Sequence, residues 1–258
     1  MRILLTNDDG IDADGLRQAL DELKKIGDVY VAAPEGERSS VSHHLTISGR
    51  IRYEEREVPG AVKAYAIWGT PCDCVDFGLD VMFKNEIDIV VSGINRGPNQ
   101  SSDIIYSGTV AAAREGYFHG VPSIAISITD FNPESYYVAA KCGSILVKEF
   151  YESKNNTDYF LNVNVPNIAY EDIKGYKLCT NAARIHYNTD LKCVEEDGKH
   201  YVEVKTIGRD IDMDENDLSI DINATDNGYV SLSALHNSHI SDENSIYIKN
   251  IIKKIKNY

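Results

Sequence analysis

This sequence predicts an α/β chain with a mostly parallel sheet flanked by helices, and three observations carry that expectation. Short apolar runs alternate with helical stretches through the first two thirds of the chain. The runs are apolar on successive residues, as strands covered on both faces must be, and such alternation builds βαβ units. After about residue 175 the texture changes to short β-type runs separated by acidic loops, ending in a helical segment. The expected division is a core over residues 1–175 and a C-terminal extension of β-hairpins and a terminal helix over 176–258.

Taken in order, Ile3-Leu4-Leu5 is the first buried strand, and Leu16, Ala19, Leu20 and Leu23 follow at helical spacing up to Gly27. Residues 29–33 form a second strand, stopped by Pro34. Residues 47–57, ISGRIRYEERE, alternate about Ser48-Gly49 and predict a hairpin or a strand extension. A helix is expected from Pro71 to about Phe83, with Pro in its first turn. Residues 87–91 are a third buried strand, 107–117 a small-residue helix, 123–128 a fourth strand, 135–151 a helix and 160–165 a fifth strand. In the extension, YVEVKTI and GYVSLSAL read as hairpin strands beyond the main sheet. Ile248, Ile251, Ile252 and Ile255 mark one apolar stripe of a terminal helix.

Composition narrows the function classes. The 258 residues include 26 Lys plus Arg and 40 Asp plus Glu, a formal net charge of −14. Such a chain is repelled by polyanions, so no stable nucleic-acid complex and no acidic membrane partner are expected. The five cysteines are odd in number and form no paired C-x-x-C units, which argues for reduced thiols. No run is long and apolar enough for a membrane span, and MRILLTNDDG is too short in its apolar part for a signal peptide. A cytoplasmic protein is expected.

Three loops carry the candidate chemistry. Thr6-Asn7-Asp8-Asp9-Gly10 follows the first strand, where ligands bind in open parallel sheets. Adjacent carboxylates repel and favour a cation, and Asp and Asn oxygens suit Mg²⁺ or Mn²⁺. The plainer alternative is a cap on the next helix. Arg38-Ser39-Ser40 follows the second strand, where a Ser hydroxyl can complete a metal shell and Arg can meet a phosphate. His43-His44 reads as a solvated pair, with His43 a candidate for proton transfer. The third loop, Ser92-Gly93-Ile94-Asn95-Arg96-Gly97-Pro98-Asn99, leads past Asp103 into a helix at Ser107-Gly108-Thr109. Free N–H groups at that helix start make an anion site, unless Ser107 is only an ordinary cap. No phosphate-binding P-loop, dinucleotide fingerprint or nucleophile elbow occurs.

Ordered motifs then match a family. They are Ile3 to Gly10, Arg38-Ser39, Gly69-Thr70-Pro71 with Asp73-Cys74-Val75, the 91–116 block ending Ala112-Ala113-Arg114-Glu115-Gly116, and Pro122-Ser123-Ile124-Ala125. Asn162-Val163-Asn164-Val165-Pro166, Asp221-Ile222-Asn223-Ala224 and Gly228-Tyr229-Val230-Ser231 complete the series. The chain resembles the SurE-type survival proteins, metal-dependent 5′/3′-nucleotidases. The resemblance implies a Rossmann-like core and one divalent cation per subunit, Mg²⁺ or Mn²⁺, on Asp8, Asp9, Ser39 and Asn95. It further implies a phosphate on Asn99, Ser107, Gly108 and Thr109, and a homodimer or homotetramer built through the C-terminal region. The expected activity is hydrolysis of nucleoside 5′-monophosphates, and of 3′-monophosphates as a further substrate class, by a metal-activated water. An attack by Asp8 or Asp9 itself is the mechanistic variant. The rival readings are a metal-dependent nucleotide-binding module without turnover and a metal-dependent glycosyltransferase. Two departures stand out: Ser233-Ala234-Leu235 replaces the family's Thr-Pro-Leu, and 188–217 is acidic and aligns poorly.

Overall fold

The computed structural model describes residues 1–236 apart from 85, 154–157 and 182. Its strands are β1 (Arg2–Thr6), β2 (Asp28–Pro34), β3 (Tyr53–Arg56), β4 (Lys63–Ile67), β5 (Ile89–Arg96), β6 (Ser123–Ile128), β7 (Phe160–Val165), β8 (Tyr176–Leu178), β9 (Arg184–Glu196), β10 (Lys199–Asp212) and β11 (Val230–Leu235). The helices are α1 (Asp14–Leu23), α2 (Pro71–Asp76, running on as a wider turn to Met82), α3 (Gly108–Phe118), α4 (Tyr137–Glu152) and α5 (Asp221–Asp226).

The main sheet runs β3-β4-β2-β1-β5-β6-β7-β11-β8. From β4 to β7 every neighbouring pair is parallel. Successive side chains of a strand face opposite sides, and β1 shows it: Ile3 and Leu5 lie in the core with α1 and α4, whereas Leu4 packs with α2 and α3. All three are fully buried. Burying a Leu or Ile side chain stabilises by about 1.5–3 kcal/mol, so both faces of β1 are strongly held. The chain moves outward from β1 to β2 and β4, then returns to place β5 on the other side of β1. That reversal is a topological switch point, and it opens a crevice at the carboxyl ends of β1 and β5.

Two expectations change. The predicted hairpin about Ser48-Gly49 is displaced, since residues 47–52 are irregular and the true pair is β3 with β4. Its turn runs through Val58 and Gly60, the latter at φ +101°. Strand β4 is short and two of its five residues are alanine, so its apolar signal was weak. The segment 228–235 does not stand beyond the sheet: β11 pairs antiparallel with β7, and parallel with β8. Among the described residues, only β9 and β10 form a separate two-stranded arm, with a bulge between Thr206 and Gly208. The helix expected around Ile248, Ile251, Ile252 and Ile255 lies outside the described residues. Among those described, no helix is long and apolar enough to cross a membrane.

Candidate active site at the β1–β5 switch point

The loop after β1 is braced by Asn7, which is fully buried. Its Nδ2 donates to the Gly10 carbonyl at 2.9 Å, and its Oδ1 accepts from the Gly10 N–H at 3.2 Å. Gly10 itself sits at φ +106°, and a Cβ there would lie 3.0 Å from Cα of Gly36. This closed turn presents Asp8 and Asp9 side by side. The Asp8 carbonyl accepts from the Arg38 N–H at 2.7 Å, which ties the Ser39 loop to it.

Asp8 does not cap the following helix, since α1 begins at Asp14 with no side-chain cap. Its carboxylate instead faces the N-terminus of α3. The Thr109 N–H donates to Oδ2 at 3.2 Å, and the Thr109 hydroxyl donates to Oδ1. Asp9 Oδ2 accepts from the Arg96 N–H at 3.2 Å. Burial pushes the Asp8 carboxyl up to about 6, against the Thr109 hydrogen bond and with the charge of Asp9. Burial also raises Asp9, although the Arg96 N–H and guanidinium oppose it. Two carboxylates that resist ionisation side by side are what a bound cation relieves.

Asn95 lies at the end of β5. Its Nδ2 donates to the Gly97 carbonyl at 2.7 Å, so the side-chain oxygen is not consumed by that contact. Ser39 is exposed and its hydroxyl donates to Glu37 at 2.7 Å. Ser107 caps α3, accepting from the Val110 N–H at 3.0 Å, and so keeps its own proton for another acceptor. Gly108 packs against Asp8, where a Cβ would come within 3.0 Å of both Cβ and Oδ2.

Asn99 is held in a buried amide network. Its N–H donates to Asn164 Oδ1 at 2.8 Å, and its carbonyl accepts from Asn162 at 2.8 Å and from Asn164 at 3.0 Å. Its side-chain nitrogen donates to the Ser127 hydroxyl at 2.9 Å. Beyond it, the buried Asp221 carboxylate accepts from the Ser101 N–H and hydroxyl at 2.7 and 2.6 Å. The NVNVP and DINA motifs thus act as scaffolding for this loop.

A cavity of about 970 Å³ opens here, lined by Asp8, Asp9, Ser39, Asn95, Asn99 and Ser107. Three loops from distant parts of the sequence converge on it. Arg38 does not line it; its guanidinium donates to the Gly69 carbonyl and pairs with Glu35. His43 is absent from the lining too, and meets Glu115 instead. Sequence reasoning missed the far wall: Tyr106, Phe131 and Asn132, with Tyr187, Thr206 and Arg209 contributed by the arm. The Tyr187 hydroxyl donates to Asp103, and the Ile185 N–H donates to the Ser102 hydroxyl at 3.0 Å, which fastens the arm beside the site. No local motif marks those arm residues.

The donor set fits a hard divalent cation. Asp8, Asp9, Ser39 and Asn95 all offer oxygen, and among the described residues neither His nor Cys lines the cavity.

The family model described as "Survival protein SurE" matches residues 3–188, ending within β9, the first strand of the arm. A 5′-nucleotidase SurE of Clostridium botulinum (strain Alaska E43 / Type E3) is 40% identical over 240 residues, 92% of this chain and 93% of that protein. The 5′-nucleotidase SurE of Fervidobacterium nodosum is 40% identical over 238 residues, 91% of each chain. The crystal structure of the Sure protein from Aquifex aeolicus superposes with a TM-score of 0.79 at 33% identity, covering 97% of this chain and 99% of that one. With the fold, the ordered motifs and these relatives in agreement, the chain belongs to the SurE survival protein family.

Proposed function

We propose that this chain hydrolyses nucleoside 5′-monophosphates, with 3′-monophosphates a further substrate class, at the β1–β5 cavity. The observation that carries the reading is the meeting of Asp8, Asp9, Ser39 and Asn95 at one wall of that cavity. Relatives at about 40% identity carry the name 5′-nucleotidase. Asp8, Asp9, Ser39 and Asn95 hold one divalent cation, Mg²⁺ or Mn²⁺. When bound, the cation supplies positive charge to the phosphoryl oxygens and makes a water more acidic.

The chain's own groups do the rest. Ser107, with its free proton, and Gly108 at the start of α3 receive the phosphate, as does Asn99. Thr109, which the resemblance puts on the phosphate, instead gives both its donors to Asp8 and so links the carboxylate to the phosphate-facing helix end. Arg96 and Arg209 bring positive charge to a cavity in an acidic protein. Tyr106, Phe131 and Tyr187 offer exposed ring faces for stacking a base. Phosphate release from AMP, GMP, CMP and UMP, with and without Mn²⁺, tests the reading. Metal-dependent release supports it, and nucleotide binding without release overturns it in favour of a binding module.

The same reading places the protein in the cytoplasm as a homodimer or homotetramer, with residues 1–175 as the catalytic core and 176–258 as the assembly region. The arm supports this, because Leu191, Val204 and Ile207 are each more than 60% exposed. Deleting residues 241–258 should lower the mass measured by light scattering, and a fully oligomeric truncation would overturn that assignment.

A further inference from the structure

A second cluster of ligating side chains lies on the α2–α3 side of the sheet, outside the cavity. Glu115 and His119 are four residues apart and so share one face of α3. Facing them are Asp76, at the end of α2, and Asp80, one turn further on. His119 Nε2 lies 2.8 Å from Asp76 Oδ1 and 3.7 Å from Glu115 Oε1. Candidate ligand atoms of Asp76, Glu115 and His119 all fall within 4.8 Å of one another. The other imidazole nitrogen, Nδ1, faces Asp80 Oδ1 at 3.5 Å. A carboxylate behind the far nitrogen is how metal-bound histidines are commonly oriented.

Charge points the same way. Three carboxylates, Asp76, Asp80 and Glu115, crowd this spot, and among the described residues every ion pair they make is to a histidine. Glu115 and His43 are partly or wholly buried, and His43 Nε2 lies 2.5 Å from Glu115 Oε2. Burial pushes the Asp76 carboxyl up against the hydrogen bond from His119, and the Glu115 charge pushes it the same way.

We infer that Asp76, Glu115 and His119 form a second divalent site, selective for Zn²⁺ over Mg²⁺, with His43 orienting Glu115. An imidazole with two carboxylates suits zinc, whereas Mg²⁺ prefers an all-oxygen shell. The partial exposure of Asp76 and His119 leaves a fourth position open to solvent. His43 belongs to the loop that carries Ser39, and α3 holds Asp8 at its other end. An ion here therefore ties that loop to the helix from behind the cavity. The site uses none of the cavity residues, so its failure leaves the nucleotidase reading intact.

The test strips full-length protein of metal, restores it in excess Mg²⁺, adds Zn²⁺ and counts the ions retained after desalting. Co²⁺ in place of Zn²⁺ gives an optical signature of four-coordination. The expected result is a single retained Zn²⁺ per chain, with Co²⁺ bands that Zn²⁺ displaces. Both signals should be lost in His119→Gln and in Asp76→Asn and kept in Asp9→Asn, and circular dichroism should show each variant folded. Two independent variants guard against a fold defect in one. No retention by the wild type, retention by both folded cluster variants, or loss in Asp9→Asn overturns the site.

Discussion

The two walls of the cavity are built in opposite ways. On one side Asp8, Asn99 and Ser107 are buried, pinned by hydrogen bonds to fully covered strands and a helix start. On the other side Tyr187, Thr206 and Arg209 sit on β9 and β10, whose residues are exposed almost throughout. Chemistry needs groups held to within fractions of an ångström, and packed elements provide that. A wall that meets the variable part of a ligand needs surface more than rigidity. Under the proposed function, the difference teaches that reaction and selection fall to separate parts of this chain, with different tolerance to change.

The sharpest way to break that comparison is on the rigid wall. Asp9→Asn should lower phosphate release by at least roughly 100-fold, because partners one step further from a metal are themselves worth 10–100-fold. Chelation should do the same to the wild type, with Mn²⁺ and Mg²⁺ restoring turnover better than Ca²⁺, which prefers more ligands at longer distances. Near-normal turnover of Asp9→Asn at saturating metal would reduce the carboxylate pair to scaffolding.

Asp8 gives a second, linked test, read as stability. Its folded pKa is raised from 3.8 to about 6. The folded state then holds the proton more tightly than the unfolded one. That contribution is fully present below pH 3.8 and is lost as pH rises through about 6. At neutral pH without metal, the charged carboxylate therefore costs on the order of 2–3 kcal/mol. Asp8→Asn in chelator should melt higher than wild type at pH 7, with the gap closing as pH falls towards 3.8. A gap that widens on acidification would contradict the assigned burial. The same variant should be inactive, so stability and activity move in opposite directions at one residue.

The arm should respond more mildly. Arg209→Ala is expected to raise KM by roughly tenfold, about 1.4 kcal/mol, with kcat little changed, since it removes binding rather than transition-state contact. A matching fall in kcat would move Arg209 to the reacting centre. The smallest effect is expected from Tyr187→Phe, which loses the hydrogen bond to Asp103 but keeps the ring: a change in KM of a few-fold, on the scale of one net hydrogen bond. Comparing purine and pyrimidine monophosphates in both variants tells stacking from charge.

The sequence made the core and the rigid wall legible for a physical reason. Ile3-Leu4-Leu5 and Ile89-Val90-Val91 are continuous apolar runs, as strands covered on both faces must be, and all six residues are fully buried. Strand ends in such a sheet are where ligands bind, so Asp8, Asp9 and Asn95 could be singled out before any coordinates. Strand β4 was illegible because KAYAI gains its burial from neighbours rather than from its own apolarity. The fate of GYVSLSAL was illegible because pairing with β7 depends on register with a partner some seventy residues away. Tyr187 and Arg209 reach the cavity only through the long arm, and no spacing rule encodes that. His43 looked like a loop histidine because its partner, Glu115, lies on a helix far along the chain.

The pairing of Gly10 with Gly36 governs how this site can vary. At position 10 a side chain meets both a left-handed backbone and the Cα of Gly36, whereas at position 36 a Cβ would find nothing within 4 Å. In a saturation mutagenesis library the two glycines should therefore separate: position 36 should accept many residues and position 10 almost none. The turn that presents Asp8 and Asp9 is thus insulated from drift in the loop it touches. New substrates can be explored by altering the facing loops and arm, while the carboxylate pair stays where it is.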